Sequence, residues 1–255
     1  MTDTKAPPSP PALRLYLSEP ARGALQVGAL PTAAPWLRRA PKGEPHGVLV
    51  LPGFLTTDSS TGLLRRFLHG LGHTAWGWRL GRNLGPTSAI LDGMPRALEQ
   101  LAERTGGPVS VVGWSLGGIF ARELSRKRPE LVRQVITLGS PFALSDPRQS
   151  RVNRRFDKHA HRHTDGGLNW QSILRPIPVP STAVYSKRDG IVHWHSCIEP
   201  VSARHDNVEV RCAHLGFGAD PATLWVVADR LAQAEPGRTP FRPPGLLKVM
   251  YPGRG

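Results

Sequence analysis

Residues 108–128 read PVSVVGWSLGGIFARELSRKR, and the fold follows from how this stretch is parsed. Val109, Val111 and Val112 form a β-branched apolar run that stops at Gly113, and Ile119, Phe120 and Leu124 open a run with helical spacing. Only Trp114, Ser115, Leu116 and two glycines are left to turn the chain, so the spacing predicts strand, tight turn, helix. Ser115 sits in the turn, with Gly113 and Gly117 beside it in the pattern G-x-S-x-G, because so sharp a reversal leaves room for small neighbours only. Such a turn exposes a hydroxyl to an approaching base, and a serine hydroxyl is a weak nucleophile until a base takes its proton. It also leaves the Leu116 N–H at a helix N-terminus, aimed where a carbonyl oxygen would become negative. The five-residue pattern alone is a weak signal; the strand before it and the helix after it give it weight.

Outward from this elbow the alternation repeats. Upstream, Gly47-Val48-Leu49-Val50-Leu51 is a continuous apolar run suited to a strand buried on both faces, and it stops at Pro52-Gly53-Phe54-Leu55. Ser59 or Ser60 can cap a helix through Leu63, Leu64, Phe67, Leu68 and Leu71, ended by Gly72. A strand follows at 74–78, a loop at 81–86, and a helix from Ser88 that turns Ile90, Leu91, Met94, Leu98 and Leu101 inward until Gly106 and Gly107 end it. Downstream, strands are expected at 132–138, 181–186 and 208–213. A last helix has Asp220 as cap, Pro221 in its first turn and Leu224, Val227 and Leu231 inward. Strands and helices in alternation predict an α/β protein with a mostly parallel, doubly wound sheet covered by helices on both faces.

The domain is expected over 46–235, with one interruption. Segment 142–178 is polar, rich in Arg and His and too long for an ordinary loop, so it reads as a cap over the C-terminal edge of the sheet. Residues 1–45 form a Pro/Ala/Gly-rich arm with short helices near 21–27 and 36–39. Leu13, Leu15, Tyr16, Leu17 and Trp36 are too apolar to face water, so the arm is expected to pack on the domain. Residues 236–255 form a Pro/Gly-rich tail expected to lie extended on the surface.

If Ser115 is a nucleophile, its base and an orienting acid come from other strand ends at the same edge, later in the chain and in the order acid, then histidine. Of ten histidines, His214 alone directly follows the last strand and precedes the last helix, with Gly216 and Gly218 letting its loop fold toward the serine. His205 precedes that strand, and His46, His69 and His73 precede the elbow. For the acid, Asp189 stands three residues past Ser186 in Ser186-Lys187-Arg188-Asp189-Gly190. Asp-Gly before the alternating Ile191 to His195 is also a hairpin signal, so a plain turn is the alternative. Asp146 is the reserve acid, and Asp157 and Asp165 are weaker choices inside the insertion. The second oxyanion donor is expected from the loop after residues 47–51: the N–H of Phe54, or else of Leu55. Apolar residues around the elbow, Phe54, Leu55, Trp114 and Leu116, suggest an apolar acyl site, although core positions read the same way.

The chain of 255 residues is long enough for one large core. Its 33 Lys and Arg against 19 Asp and Glu give a formal charge of +14, which attracts anionic partners such as phospholipid head groups or nucleic acid, or else reflects an Arg-rich composition whose charge is solvated. The arginines are scattered and not interleaved with stacking aromatics, which argues against a specific nucleic-acid groove. Cys197 and Cys212 form no disulfide framework, although each lies near one of the candidate residues and they could pair. Alternate histidines 159, 161 and 163 would share a face on an extended strand, but adjacent cations and the lack of a completing carboxylate or cysteine argue against a metal. His193 and His195 repeat the pattern, with the same reading: pocket rim or solvent. No cofactor is implied. The start lacks an apolar signal core and no run approaches ~18 apolar residues, which predicts a soluble, cytoplasmic protein.

With Ser115, Asp189 and His214 in this order the chain resembles the α/β-hydrolase superfamily, and more narrowly bacterial esterase/lipase-type hydrolases related to the GPI-inositol-deacylase-like branch. The resemblance is carried by Val48-Leu49-Val50-Leu51-Pro52-Gly53-Phe54, Gly81-Arg82-Asn83-Leu84-Gly85-Pro86, Gly113-Trp114-Ser115-Leu116-Gly117-Gly118, Leu138-Gly139-Ser140-Pro141-Phe142, Tyr185-Ser186 with Asp189-Gly190-Ile191-Val192, and His214-Leu215-Gly216-Phe217-Gly218. It implies Ser115, Asp189 and His214 as a triad, Phe54 and Leu116 as oxyanion donors, and hydrolysis of a small-molecule or lipid ester through an acyl-enzyme. Two departures stand out. Pro52 replaces the common histidine before glycine in the donor loop, and the usual first strands are not evident in residues 1–46. An acyltransferase on the same scaffold, or a non-catalytic basic module for anionic membranes or partners, are the alternatives.

Overall fold

The computed structural model describes residues 9–144, 146–164, 173–237 and 239–252. Three helices come first: α1 (Leu13–Leu17), α2 (Glu19–Gly28) and α3 (Leu30–Leu37). Then β1 (Gly47–Leu51), α4 (Gly62–Gly70), β2 (Thr74–Gly77), α5 (Ser88–Thr105), β3 (Val109–Trp114), α6 (Leu116–Lys127) and β4 (Val132–Leu138) alternate. After the insertion, which holds α7 (Asn153–Asp157), come β5 (Ser181–Tyr185), β6 (His205–Glu209) and α8 (Pro221–Leu231). The strands form one sheet in the order β2-β1-β3-β4-β5-β6, every neighbouring pair parallel. Every strand's C-terminal end therefore lies at one edge, where ligand sites of such sheets form.

Strand alternation sorts the core into two layers. Val48, Val50, Val112, Ile136 and Val184 face a cluster completed by Leu64 and Leu68 of α4 and Leu224, Val227 and Leu231 of α8. Leu49, Leu51, Val109 and Val111 face the other way, toward Ile90, Met94 and Leu98 of α5 and Ile119, Phe120 and Leu124 of α6. Helix α5 starts at the cap Thr87, whose hydroxyl accepts the Ile90 N–H, and stops at Gly106 with φ +72°.

Four expectations are corrected. The last strand lies at His205–Glu209 and not at 208–213: it is an edge strand whose first residues are half-buried and polar, while buried Val210, Cys212 and Ala213 continue beyond it as the approach to His214. Ser59 and Ser60 do not cap α4 but lie in a 3-10 turn, and the Asp58 carboxylate beside them accepts the Trp78 and Arg79 N–H groups at 3.0 and 2.9 Å. The arm holds three helices where two short ones were expected, and the one near 36–39 is the end of α3. Trp36 of α3 stacks on Trp225 of α8 with centroids 4.5 Å apart. The tail is not merely extended: Phe241 and Tyr251 are buried, Gly245–Met250 is a 3-10 helix, and the Tyr251 hydroxyl donates to the Ala222 carbonyl at 3.1 Å. Apolar anchors spaced ten residues apart outweigh the composition around them. Among the described residues, no helix is long and apolar enough to cross a membrane.

Candidate active site

The elbow is built by close approach of backbones. Ser115 has φ +53° and ψ −123°, a region that costs a side-chain-bearing residue roughly 1–3 kcal/mol and persists only where packing imposes it. Here packing does. A Cβ on Gly113 would overlap the first turn of α6 at Gly117 and Gly118, and one on Gly117 would overlap the Leu51 carbonyl at the end of β1. The Ser115 N–H donates to the Leu138 carbonyl at 2.8 Å, fixing the turn to β4, and α6 starts at the next residue. The Leu116 N–H thus points out of the helix N-terminus.

The loop after β1 is held by Asn83, which is fully buried. Its Nδ2 donates to the Pro52 carbonyl at 2.8 Å, its N–H to the Thr56 carbonyl at 2.9 Å, and its carbonyl accepts the Leu55 N–H at 2.7 Å. Leu55, at φ +64°, has its N–H engaged with the Asn83 carbonyl, so that it is not free to act as the alternative to Phe54 that the sequence offered. Gly53 lets this loop meet the elbow, since a Cβ there would lie 3.3 Å from the Ser115 Cβ. Asn83→Ala leaves the Pro52 carbonyl without its partner and frees the loop. The expected result is a loss of about 1–3 kcal/mol of stability, read from denaturant unfolding.

Asp189 and His214 come from the loops after β5 and β6 and are 3 and 4 % exposed. His214 Nδ1 donates to Asp189 Oδ2 at 2.5 Å, and Asp189 Oδ1 accepts the Ile191 and Val192 N–H groups at 2.8 Å each. The carboxylate is thereby locked in orientation and its partner nitrogen carries the proton. Burial works to lower the His214 pKa, but the Asp189 charge and hydrogen bond, with the Glu19 charge, outweigh it and raise it above the ordinary 6.5. Trp114, next to the serine, donates its indole N–H to the His214 carbonyl at 3.1 Å, tying elbow to base loop. Among the described residues Ser115 Oγ makes no hydrogen bond to His214; in unliganded sites such bonds are often long and tighten on substrate binding.

The competing candidates lie elsewhere. The hairpin reading of Asp189-Gly190 fails, because residues 191–195 form no strand against β5; Val192 bridges to Ser150, and Trp194–Cys197 is a 3-10 turn. Asp146 pairs with Arg148, and Asp157 lines a separate cavity with Arg151 and Arg154. Asp165 lies outside the described residues. Histidines 159, 161 and 163 do not share a strand face: His161 lies in a 3-10 turn that His159 and His163 flank, and their rings bond the carbonyls of Arg155, Lys158 and Leu84. The rings of His193 and His195 stack 5.1 Å apart, and burial lowers the pKa of both. Cys197 and Cys212 are buried and unpaired.

A cavity of about 60 Å³ opens beside Ser115, lined by Phe54, Leu116, Ile119 and Val192 and by Val152 and Phe156 of the insertion. Leu55 and Trp114, expected to line an acyl site, do not line it. Trp114 follows Val112 at a two-residue step and so faces the core layer of Val112 and not that of Leu116 and Ile119. Sequence reasoning missed two buried polar residues here. Asn83 sits within a quoted motif but carried no role. Glu19, 2 % exposed, accepts the N–H groups of Gly190, His214 and Leu215, and nothing in an arm read by composition marks it.

No protein-family model matches the chain. Over 70 residues it is 31% identical to the biotin biosynthesis bifunctional protein BioHC of Teredinibacter turnerae, a match covering 27% of this chain and 12% of that protein. Among solved structures, a metagenome-derived lipolytic enzyme of the LipS and LipT study matches with a TM-score of 0.56 at 16% identity, over 75% of this chain and 94% of that one. Lipase B of Aspergillus fumigatus matches at 0.54 and 18%, over 84% and 60%. The thioesterase domain from the curacin biosynthetic pathway matches at 0.51 and 16%, over 73% and 92%. With its six parallel strands in this order and helices on both faces, the chain has the α/β-hydrolase fold.

Proposed function

We propose that the protein is a serine hydrolase of carboxylic esters with short, apolar acyl groups. The observation that carries this is the buried 2.5 Å pair of Asp189 and His214 at the sheet edge where the strained elbow presents Ser115. In the proposed cycle Ser115 Oγ attacks the ester carbonyl carbon as His214 Nε2 takes its proton, and the carbonyl π pair moves to oxygen. The N–H groups of Phe54 and Leu116 hold that oxyanion, worth about 3 kcal/mol for each donor. The C–O bond to the alcohol then breaks, and the leaving oxygen takes the proton from His214. Water repeats the attack on the acyl-serine, with His214 again as base, releasing the acid and restoring Ser115. Asp189 keeps the proton on Nδ1 throughout, so that Nε2 is free to accept.

The size of the cavity supports a short acyl group, since about 60 Å³ is far below the roughly 300–1,000 Å³ of a site for a drug-sized ligand. The six motifs quoted above support kinship with bacterial esterase/lipase-type hydrolases related to the GPI-inositol-deacylase-like branch. The test is a series of aryl esters of increasing acyl length. Acetyl to butyryl esters are expected to turn over best and the octanoyl ester about tenfold or more slowly, the cost of forcing extra methylenes into a filled space. A rate that rises steadily with chain length would refute the short-acyl assignment. Added alcohols that divert the acyl group into new esters at the expense of free acid would make the protein an acyltransferase.

A further inference from the structure

Outside the triad, the most heavily bonded buried charge at this edge belongs to the arm. Glu19 opens α2, yet its carboxylate bonds nothing in the sheet. Oε1 accepts the Gly190 N–H at 2.7 Å and the His214 N–H at 3.0 Å, and Oε2 accepts the Leu215 N–H at 3.0 Å. Gly190 follows the candidate acid and His214 is the candidate base, so one side chain spans both loops. Arg22, one turn along α2, donates to Oε1 at 2.9 Å and to the Arg188 carbonyl at 2.7 Å, completing the set of donors that a buried carboxylate requires.

The packing around this bridge leaves no slack. A Cβ on Gly190 would overlap the Leu15 carbonyl group, and one on Gly216 would overlap the Gln26 side chain. One on Gly23 would come within 3.2 Å of the Leu215 Cβ, and Gln26 Oε1 accepts the Ala213 N–H at 3.3 Å. The glycine after Asp189, readable from sequence as a turn signal, is thus required by the arm lying against it.

We propose that Glu19 is a positioning residue of the Asp189–His214 pair, joining the acid loop to the base loop, so that α2 is a working part of the active site. This rests on the hydrolase reading above. Two loops that leave neighbouring strands have no covalent reason to hold side chains at bonding distance; a carboxylate accepting from both backbones fixes their separation. It also places a second negative charge near the imidazole. The charged groups facing His214 are Asp189 from the acid loop and Glu19 from the arm, with Arg22 behind Glu19.

The test compares the full-length protein with Glu19→Gln, Arg22→Gln and Ser115→Ala, using butyryl aryl ester kinetics across pH and the rate of fluorophosphonate labelling. Glu19→Gln is expected to lower kcat and the labelling rate about tenfold or more with KM nearly constant. It should also move the acid limb of kcat/KM to lower pH, because a charge that favours the imidazolium is gone. Arg22→Gln, at a side chain one quarter exposed, is expected to move the limb the other way. A residue serving stability alone would not give shifts of opposite sign, and if Glu19→Gln does not fold, the Arg22→Gln limb decides. Wild-type protein that labels, Ser115→Ala that does not, and Glu19→Gln that labels at the wild-type rate with an unmoved limb would overturn the positioning role and leave the hydrolase reading standing. Wild-type protein that neither labels nor turns over would overturn both.

Discussion

Ser115→Ala is expected to lower kcat/KM on a butyryl aryl ester by about 10⁴-fold or more and to abolish fluorophosphonate labelling, while the protein remains folded. The size of the loss follows from what remains. In the proposed cycle no acyl-enzyme forms without the hydroxyl, and the N–H groups of Phe54 and Leu116 would only polarise the carbonyl for direct attack by water. Stability should change little, because alanine at φ +53° carries the same backbone strain as serine and the glycines around it are untouched.

Asp189→Asn has the second largest expected effect, about 10⁴-fold in kcat at neutral pH. The amide has nearly the shape of the carboxylate, so the Ile191 and Val192 N–H groups keep an acceptor. Its NH₂ can face His214 Nδ1, however, favouring the tautomer whose Nε2 carries the proton and cannot take another. The pH profile carries a second signature. Wild-type His214 has its pKa raised above 6.5, and only neutral imidazole acts as base, so wild-type activity is lost as pH falls through a value above 6.5. Removing the Asp189 charge leaves burial opposed by Glu19 alone, so the residual activity of Asp189→Asn should keep its plateau to lower pH. Kinetics of both proteins over pH 5–9 check the magnitude and the direction together.

The parts of this protein that could be read from sequence are those where one local rule acts alone. The runs 47–51, 109–114 and 132–138 are apolar throughout because both faces of a central parallel strand are covered, and they were placed within a residue or two. Asp189 and His214 are legible as sequels to strand ends, and the fold sets them in hydrogen-bonding contact. Where two rules compete, the reading slips. His205, Asp206 and Asn207 are polar because β6 is an edge, so the apolar rule found the residues after the strand instead. Trp114 sits beside Ser115 in sequence, but alternation turns it to the core layer opposite Leu116 and Ile119. Glu19, Asn83, Phe241 and Tyr251 act across long separations: Glu19 bonds an N–H 195 residues away, and no local pattern encodes that. Composition describes what a segment such as the arm can bury, not which backbone groups its buried Glu19 carboxylate will satisfy.

Whether Ser115 becomes covalently modified with His214 as its base is decided by peptide mass spectrometry after fluorophosphonate treatment. The predicted result is a single phosphonyl adduct on the peptide bearing Ser115, formed more slowly as pH falls below the raised His214 pKa and absent in His214→Ala. An adduct on another residue, or labelling of Ser115 that His214→Ala leaves at the wild-type rate, would contradict it.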